Sequence, residues 1–253
     1  MNAMLEIIGM TSSQGQKIFL RGHDVAAVLI PTASEARIVS RCVIFSAPQE
    51  EAEFLVREVC RRASEWRKVR FLTGDRLALN HTMVDAIRFC DDEITVVFNN
   101  TVHGSVETVL QFAATQEDYT RLVRRMRGML NLKMSRGGNA GVFARDLVAV
   151  LWDDDRSQAK IVTRTATVQA ETDSATLAER VLRRHNHTAT IGPNVFDVTY
   201  LAFACAGENE CRAVIGPLGR GCEHSLEFTT SISGNPLAFI ASLWGFAKAD
   251  PQN

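Results

Sequence analysis

Two histidines stand two positions apart in His185-Asn186-His187. On a β-strand that spacing puts both imidazoles on one face, where they could share a metal ion. Here the triplet follows the apolar stripe of a predicted helix, so it reads as a polar helix end that satisfies the last carbonyls. The matching stretch earlier in the chain, Ala63-Ser64-Glu65, keeps no histidine. Asp153-Asp154-Asp155 could hold a hard cation, since adjacent carboxylates favour magnesium or calcium. It falls between two strand-like runs and reads as a solvated turn, as does Asp91-Asp92-Glu93. No residue is assigned to a metal.

Gly137-Gly138-Asn139-Ala140-Gly141 and Gly216-Pro217-Leu218-Gly219-Arg220-Gly221 are glycine-rich. Neither carries the Lys-Ser or Lys-Thr of a phosphate loop, and each precedes a strand rather than a helix, so both read as connectors and no cofactor is assigned. No serine stands in a G-x-S-x-G elbow. The cysteines Cys42, Cys60, Cys90, Cys205, Cys211 and Cys222 form no C-x-x-C pair, the usual spacing of a structural zinc site. They read as small buried hydrophobes in a reducing compartment. An enzyme with its site in a cleft between chain halves would draw on His81, His103 and His224. These do not form a self-consistent set, and no residue is assigned a catalytic role.

Arginine is the residue type with most to offer. Arg57, Arg61, Arg62, Arg67, Lys68 and Arg70 crowd the end of one predicted helix, beside Trp66, and Arg121, Arg124, Arg125 and Arg127 lie on another. Arginine and tryptophan anchor protein interfaces, and guanidinium groups also suit phosphate. The interleaved Glu58, Glu65 and Asp118 argue against nucleic acid. So does the balance of the whole chain, with 28 basic and 29 acidic side chains and a net charge of −1. The expected partners are other protein subunits. No apolar run approaches the ~18 residues of a membrane helix, and residues 1–10 lack a signal-peptide pattern. The expectation is an intracellular, cytoplasmic protein, with peripheral membrane association left open.

The elements that would position these residues come twice. His23-Asp24-Val25-Ala26-Ala27-Val28-Leu29 returns 122 residues later as Arg145-Asp146-Leu147-Val148-Ala149-Val150-Leu151. Arg37-Ile38-Val39-Ser40-Arg41 is answered by Lys160-Ile161-Val162-Thr163-Arg164, and Leu55, Val59, Arg61 and Arg62 by Leu177, Val181, Arg183 and Arg184. Helical stripes at 3.6 spacing start near Pro48, Thr115, Asp173 and Pro236, with strand-like runs between them. Each copy reads strand, strand, helix, three strands, helix, with an extra leading hairpin at 4–20. The predicted domains are 1–130 and 142–253, joined by a linker at 131–141 where periodicity breaks around Ser135-Arg136-Gly137-Gly138-Asn139.

This element order resembles the profilin-like arrangement of longin and roadblock domains, and it does so over nearly all of each copy. The resemblance implies an α+β fold, two tandem copies with antiparallel sheets related by a pseudo-two-fold axis. It also implies a non-enzymatic scaffold subunit of a larger complex, an internal pseudo-dimer. A second resemblance, to tandem pleckstrin-homology-like domains, rests on the strand-then-helix endings at 107–128 and 224–247 with Trp244 in the closing helix. It implies lipid or protein ligands.

Overall fold

The computed structural model describes residues 7–41, 43–62, 64–98, 108–153, 155–185, 187–206, 210–216 and 226–231. The helix expected from Pro236 onward, together with Cys42, Cys222, His103, His224 and most of the 216–221 glycine run, lies outside them. The α+β expectation of two strand-strand-helix-three-strand-helix copies is overturned. The protein is mostly β, with five sheets against three α-helices among the described residues.

The reason is that the recurring element is about half as long as expected. The first repeat holds a hairpin, β1 (Ile7–Thr11) and β2 (Lys17–Arg21), then a 3-10 turn at Gly22–Asp24. A meander follows, β3 (Val25–Ile30), β4 (Ala36–Ser40) and β5 (Ile44–Ala47), and then α1 (Gln49–Arg62). The second repeats this order with β6 (Trp66–Arg70), β7 (Arg76–Asn80), the turn His81–Met83, β8 (Val84–Cys90), β9 (Glu93–Phe98), β10 (Thr108–Ala113) and α2 (Gln116–Arg125). The third runs β11 (Met129–Lys133), β12 (Asn139–Phe143), the turn Ala144–Asp146, β13 (Leu147–Trp152), β14 (Gln158–Thr163), β15 (Thr167–Glu171) and α3 (Thr172–Leu182). The fourth has β16 (Thr188–Ile191), β17 (Asn194–Asp197), the turn Val198–Tyr200, β18 (Leu201–Ala206), β19 (Glu210–Ile215) and β20 (Leu226–Ser231). The hairpin at 4–20 is therefore no extra; every repeat opens with one. The segment expected as a linker, 131–141, lies in the β11–β12 hairpin.

Each meander begins with a β-bulge at the same place, between Val25 and Ala27, Val84 and Ala86, Leu147 and Ala149, and Leu201 and Phe203. A bulge adds a residue to one strand and sharpens its twist, so four in register mark one device used four times.

The chain divides into two compact units, Met1–Met129 and Leu130–Asn253. Within the first, the sheet order β5-β4-β3-β7-β6 shows that the second repeat's hairpin pairs with the first repeat's meander. Within the second, β15-β14-β13-β17-β16 repeats that arrangement. The β6–β7 and β11–β12 hairpins are meanwhile each fastened to the helix of their own repeat. Leu72 N–H donates to Asp118 Oδ1 of α2 at 2.7 Å, and Lys133 N–H donates to Ser174 Oγ of α3 at 2.7 Å. Adjacent repeats thus interlock. In the first unit, α1 buries Ala52, Leu55 and Val59 against Val25, Val28 and Ile38. Trp66 belongs to this core, so it is no surface anchor beside the arginines.

Helix α3 buries Ala175, Ala178 and Leu182. Leu55 therefore corresponds to Ala178, and Leu177, its sequence partner, is 39% exposed. The apolar stripe decides helix register, and one residue of slippage turns a buried position outward.

Candidate functional site

Helix α1 is amphipathic. With Ala52, Leu55 and Val59 on the core, Glu53 and Arg57 are left over the adjoining hairpin β6–β7. That hairpin pairs Lys68 with Ala78 and Arg70 with Arg76. Strand alternation sends Leu77 and Val69 inward, and Lys68, Arg70 and Arg76 are exposed. Between helix and hairpin lies a cleft of about 530 Å³. Its cations are Arg57, Lys68, Arg70, Arg76 and, from α2, Arg125; its one lining carboxylate is Glu53. Ile30, Val56 and Leu77 are among the apolar residues that line it as well.

The carboxylate is already engaged. Arg76 donates to Glu53 Oε1 at 2.6 Å. This bond and the charge of Arg76, with a smaller contribution from Arg57, hold the Glu53 carboxyl below its ordinary range. A second recess of about 570 Å³ shares Arg57 and Lys68 and adds Phe54, Glu58, Cys60 and Arg61. Phe54 is 41% exposed there. Burial pushes the Cys60 thiol up, with Lys68 opposing it weakly, so this cysteine is a poor nucleophile.

The second unit has a cleft at the corresponding place, on α3, with a different character. Its lining includes Trp152, Arg156, Thr176, Glu179, Arg180 and Arg183, around about 370 Å³. Trp152 stands where Ile30 stands in the first unit. Its Nε1–H donates to Glu179 Oε2 at 2.8 Å, and Arg183 pairs with Glu179 at 2.7 Å. The Arg156 guanidinium lies 5.8 Å from the Trp152 ring centroid. The adjoining strands β16 and β17 carry no lysine or arginine. The first unit's cleft is the more cationic, with five cations against Glu53 where the second has three arginines against Glu179.

Of the arginines singled out by sequence, the cleft brings together Arg57, Arg70 and Arg125, with Lys68. Arg61 lines the neighbouring recess. Arg67 turns away and donates to Ser64 O at 2.7 Å, and Arg121 pairs with Glu117 at 3.1 Å. Sequence reasoning missed Arg76 and Glu53. The signal for Arg76 was the run Arg76-Leu77-Ala78-Leu79-Asn80 after Gly74-Asp75, a second hairpin strand following a turn.

The other candidates sit in turns and at a helix end. Asp91 and Asp92 both have positive φ, at 51° and 57°, and form the two-residue loop between β8 and β9. Asp153 accepts from Ser157 Oγ–H at 3.0 Å, and Asp155 from Ser157 N–H at 2.9 Å. His185 N–H donates to Leu182 O at 2.8 Å at the end of α3. His81 opens a 3-10 turn and bonds Glu65 O through both its backbone N–H and its ring. Among the described residues, no three His, Cys, Asp or Glu side chains are grouped to hold a metal, and no helix is long and apolar enough to cross a membrane. No protein-family model matches the chain, and no curated protein matches it.

Proposed function

We propose that this protein is a non-enzymatic interaction module, and that the α1 cleft takes an acidic, partly apolar segment of a partner protein. The observation that carries this reading is the convergence of five cations and one carboxylate over an apolar lining. Salt-bridged arginine at a half-desolvated site gives specificity and orientation, and the neighbouring apolar surface supplies the burial term. Phe54, exposed in the adjoining recess, is an aromatic of the kind that anchors such contacts. A nucleic acid is a poorer fit. The cleft holds Glu53 within it and belongs to a chain of net charge −1. Scaffold function follows if the captured partner belongs to a larger complex.

The test is affinity capture from native extract with the wild type and with a variant carrying Arg57→Glu and Arg70→Glu. A stoichiometric partner with an acidic segment should be retained by the first and lost by the second. Equal recovery by both would place the partner elsewhere. Recovery of phospholipid vesicles rather than protein would replace the acidic peptide by a membrane surface.

A further inference from the structure

The interlocking of repeats leaves two unlike ends. Inside the chain, β7 docks on β3 with the register Ala27↔Leu79, Val28↔Ala78, Leu29↔Leu77 and Ile30↔Arg76. Strand β17 docks on β13 in the same way, with Ala149↔Phe196 and Val150↔Val195. Among the described residues, β1–β2 docks on no meander and forms a two-stranded sheet of its own. At the other end of the described residues, β18-β19-β20 is a three-stranded sheet with no hairpin docked on β18.

Both ends carry exposed aromatic side chains at the positions that would be covered. Phe19 of β2 occupies the place of Ala78 in β7; Phe19 is 73% exposed and Ala78 buried. Phe203 of β18 occupies the place of Ala27, Ala86 and Ala149, which follow the bulge in the other repeats. Phe203 is 50% exposed, whereas those three alanines are fully buried. Leu20 is the β2 counterpart of Leu79. An unpaired strand edge with exposed apolar residues is a template for another strand.

The geometry points to head-to-tail association of two copies of this chain, in which β2 of one copy docks on β18 of the next. The internal junctions dictate the register: Leu20 opposite Phe203, Phe19 opposite Ala204, Ile18 opposite Cys205. Consecutive residues point to opposite faces, so the junction covers one phenylalanine on each face of the new five-stranded sheet. The occupant is a second copy because the surface each end lacks is the one the other end presents, and because the chain itself joins two such pairs at β3–β7 and β13–β17. The two edges that meet are different, so the contact is heterologous and propagates unless a ring closes it. It is independent of the basic cleft.

The test is light scattering after size exclusion over a wide concentration range, on the wild type, Phe19→Lys and Phe203→Glu. The wild type should exceed the 28.0 kDa of one chain and grow with concentration. Each variant should raise the midpoint of association about tenfold or more. An equimolar mixture of the two variants should stop at two chains, since one free head meets one free tail and nothing further can add. Both side chains are exposed, so folding should survive. Phe19→Ser and Phe203→Ser serve if the charged variants unfold. A second reading uses Ile18→Cys, placed opposite the native Cys205. Oxidation should yield linked chains that Cys205→Ser abolishes. A wild type that stays at one chain throughout, variants that associate as the wild type does, or a disulfide formed within one chain would each overturn the proposal.

Discussion

Glu53 occupies Arg76, so under the proposed function it should lower the affinity of the cleft for an anion. Its carboxyl is held below the ordinary range by Arg76. The linkage sign follows: its small favourable contribution is complete above the ordinary carboxylate value and is lost as pH falls through the lowered one. Protonation also frees Arg76. A sulfated peptide, whose charge does not titrate there, should therefore bind the wild type more tightly as pH falls through that range. Glu53→Gln should bind it roughly threefold better at neutral pH, with the pH dependence flattened, as suits an exposed ion pair. Anisotropy titrations at several pH values check both outcomes. Leu55 and Leu177 give a second contrast at this scale. Sequence pairs them, but only Leu55 is buried. Leu55→Ala should cost about 2–5 kcal/mol in urea unfolding and Leu177→Ala less than about 1 kcal/mol. The arginines were legible because arginine on a helix face is conspicuous. Their convergence was not, because Lys68 and Arg76 meet Arg57 only through pairing of β7 with β3, which no local pattern encodes.

The hairpin turn is where one element is fastened to another. Asp118 is fully buried and belongs to the capping box of α2. Thr115 Oγ1–H donates to its Oδ2 at 2.9 Å, while Leu72 N–H from the β6–β7 turn donates to its Oδ1 at 2.7 Å. One carboxylate therefore caps a helix and pins a hairpin. Asp118→Ala strands these donors and should cost about 2–3 kcal/mol, read as a lowered urea midpoint with an unchanged slope. Thr115 was visible in the sequence as a helix start; the link from Asp118 to Leu72 joins residues 46 apart and was not. The misread fold has an equally local cause. Repeats one and three share an acidic 3-10 turn with an arginine partner, Asp24 with Arg41 and Asp146 with Arg164. Repeats two and four use a different turn, in which Asn80 and Asp197 accept from Thr82 and Thr199. Turn chemistry that alternates makes every second repeat look alike, so the chain read as two long copies rather than four short repeats.

At the scale of the molecule, the repeats are not separable beads. The meander of one needs the hairpin of the next, as β3 needs β7. A fragment of residues 1–62 should lack cooperative thermal unfolding, while one of residues 1–80, which adds the β6–β7 hairpin, should regain it; circular dichroism distinguishes them. The same interlocking builds the cleft, since α1 comes from one repeat and the facing cations from the next. A seam between neighbours can therefore differ in size and lining from one unit to the other. In the first unit the seam is open and lined by five cations; in the second it is a smaller cleft in which Trp152 bonds Glu179. The functional account stands on that open seam. The most direct measurement is titration of a fluorescent Asp/Glu-rich peptide carrying one leucine into the wild type and the Arg57→Glu, Arg70→Glu variant. At low salt the wild type should bind, with affinity falling as salt rises, and the variant should bind at least about tenfold more weakly. Equal affinities, or no binding to the wild type, would contradict the account.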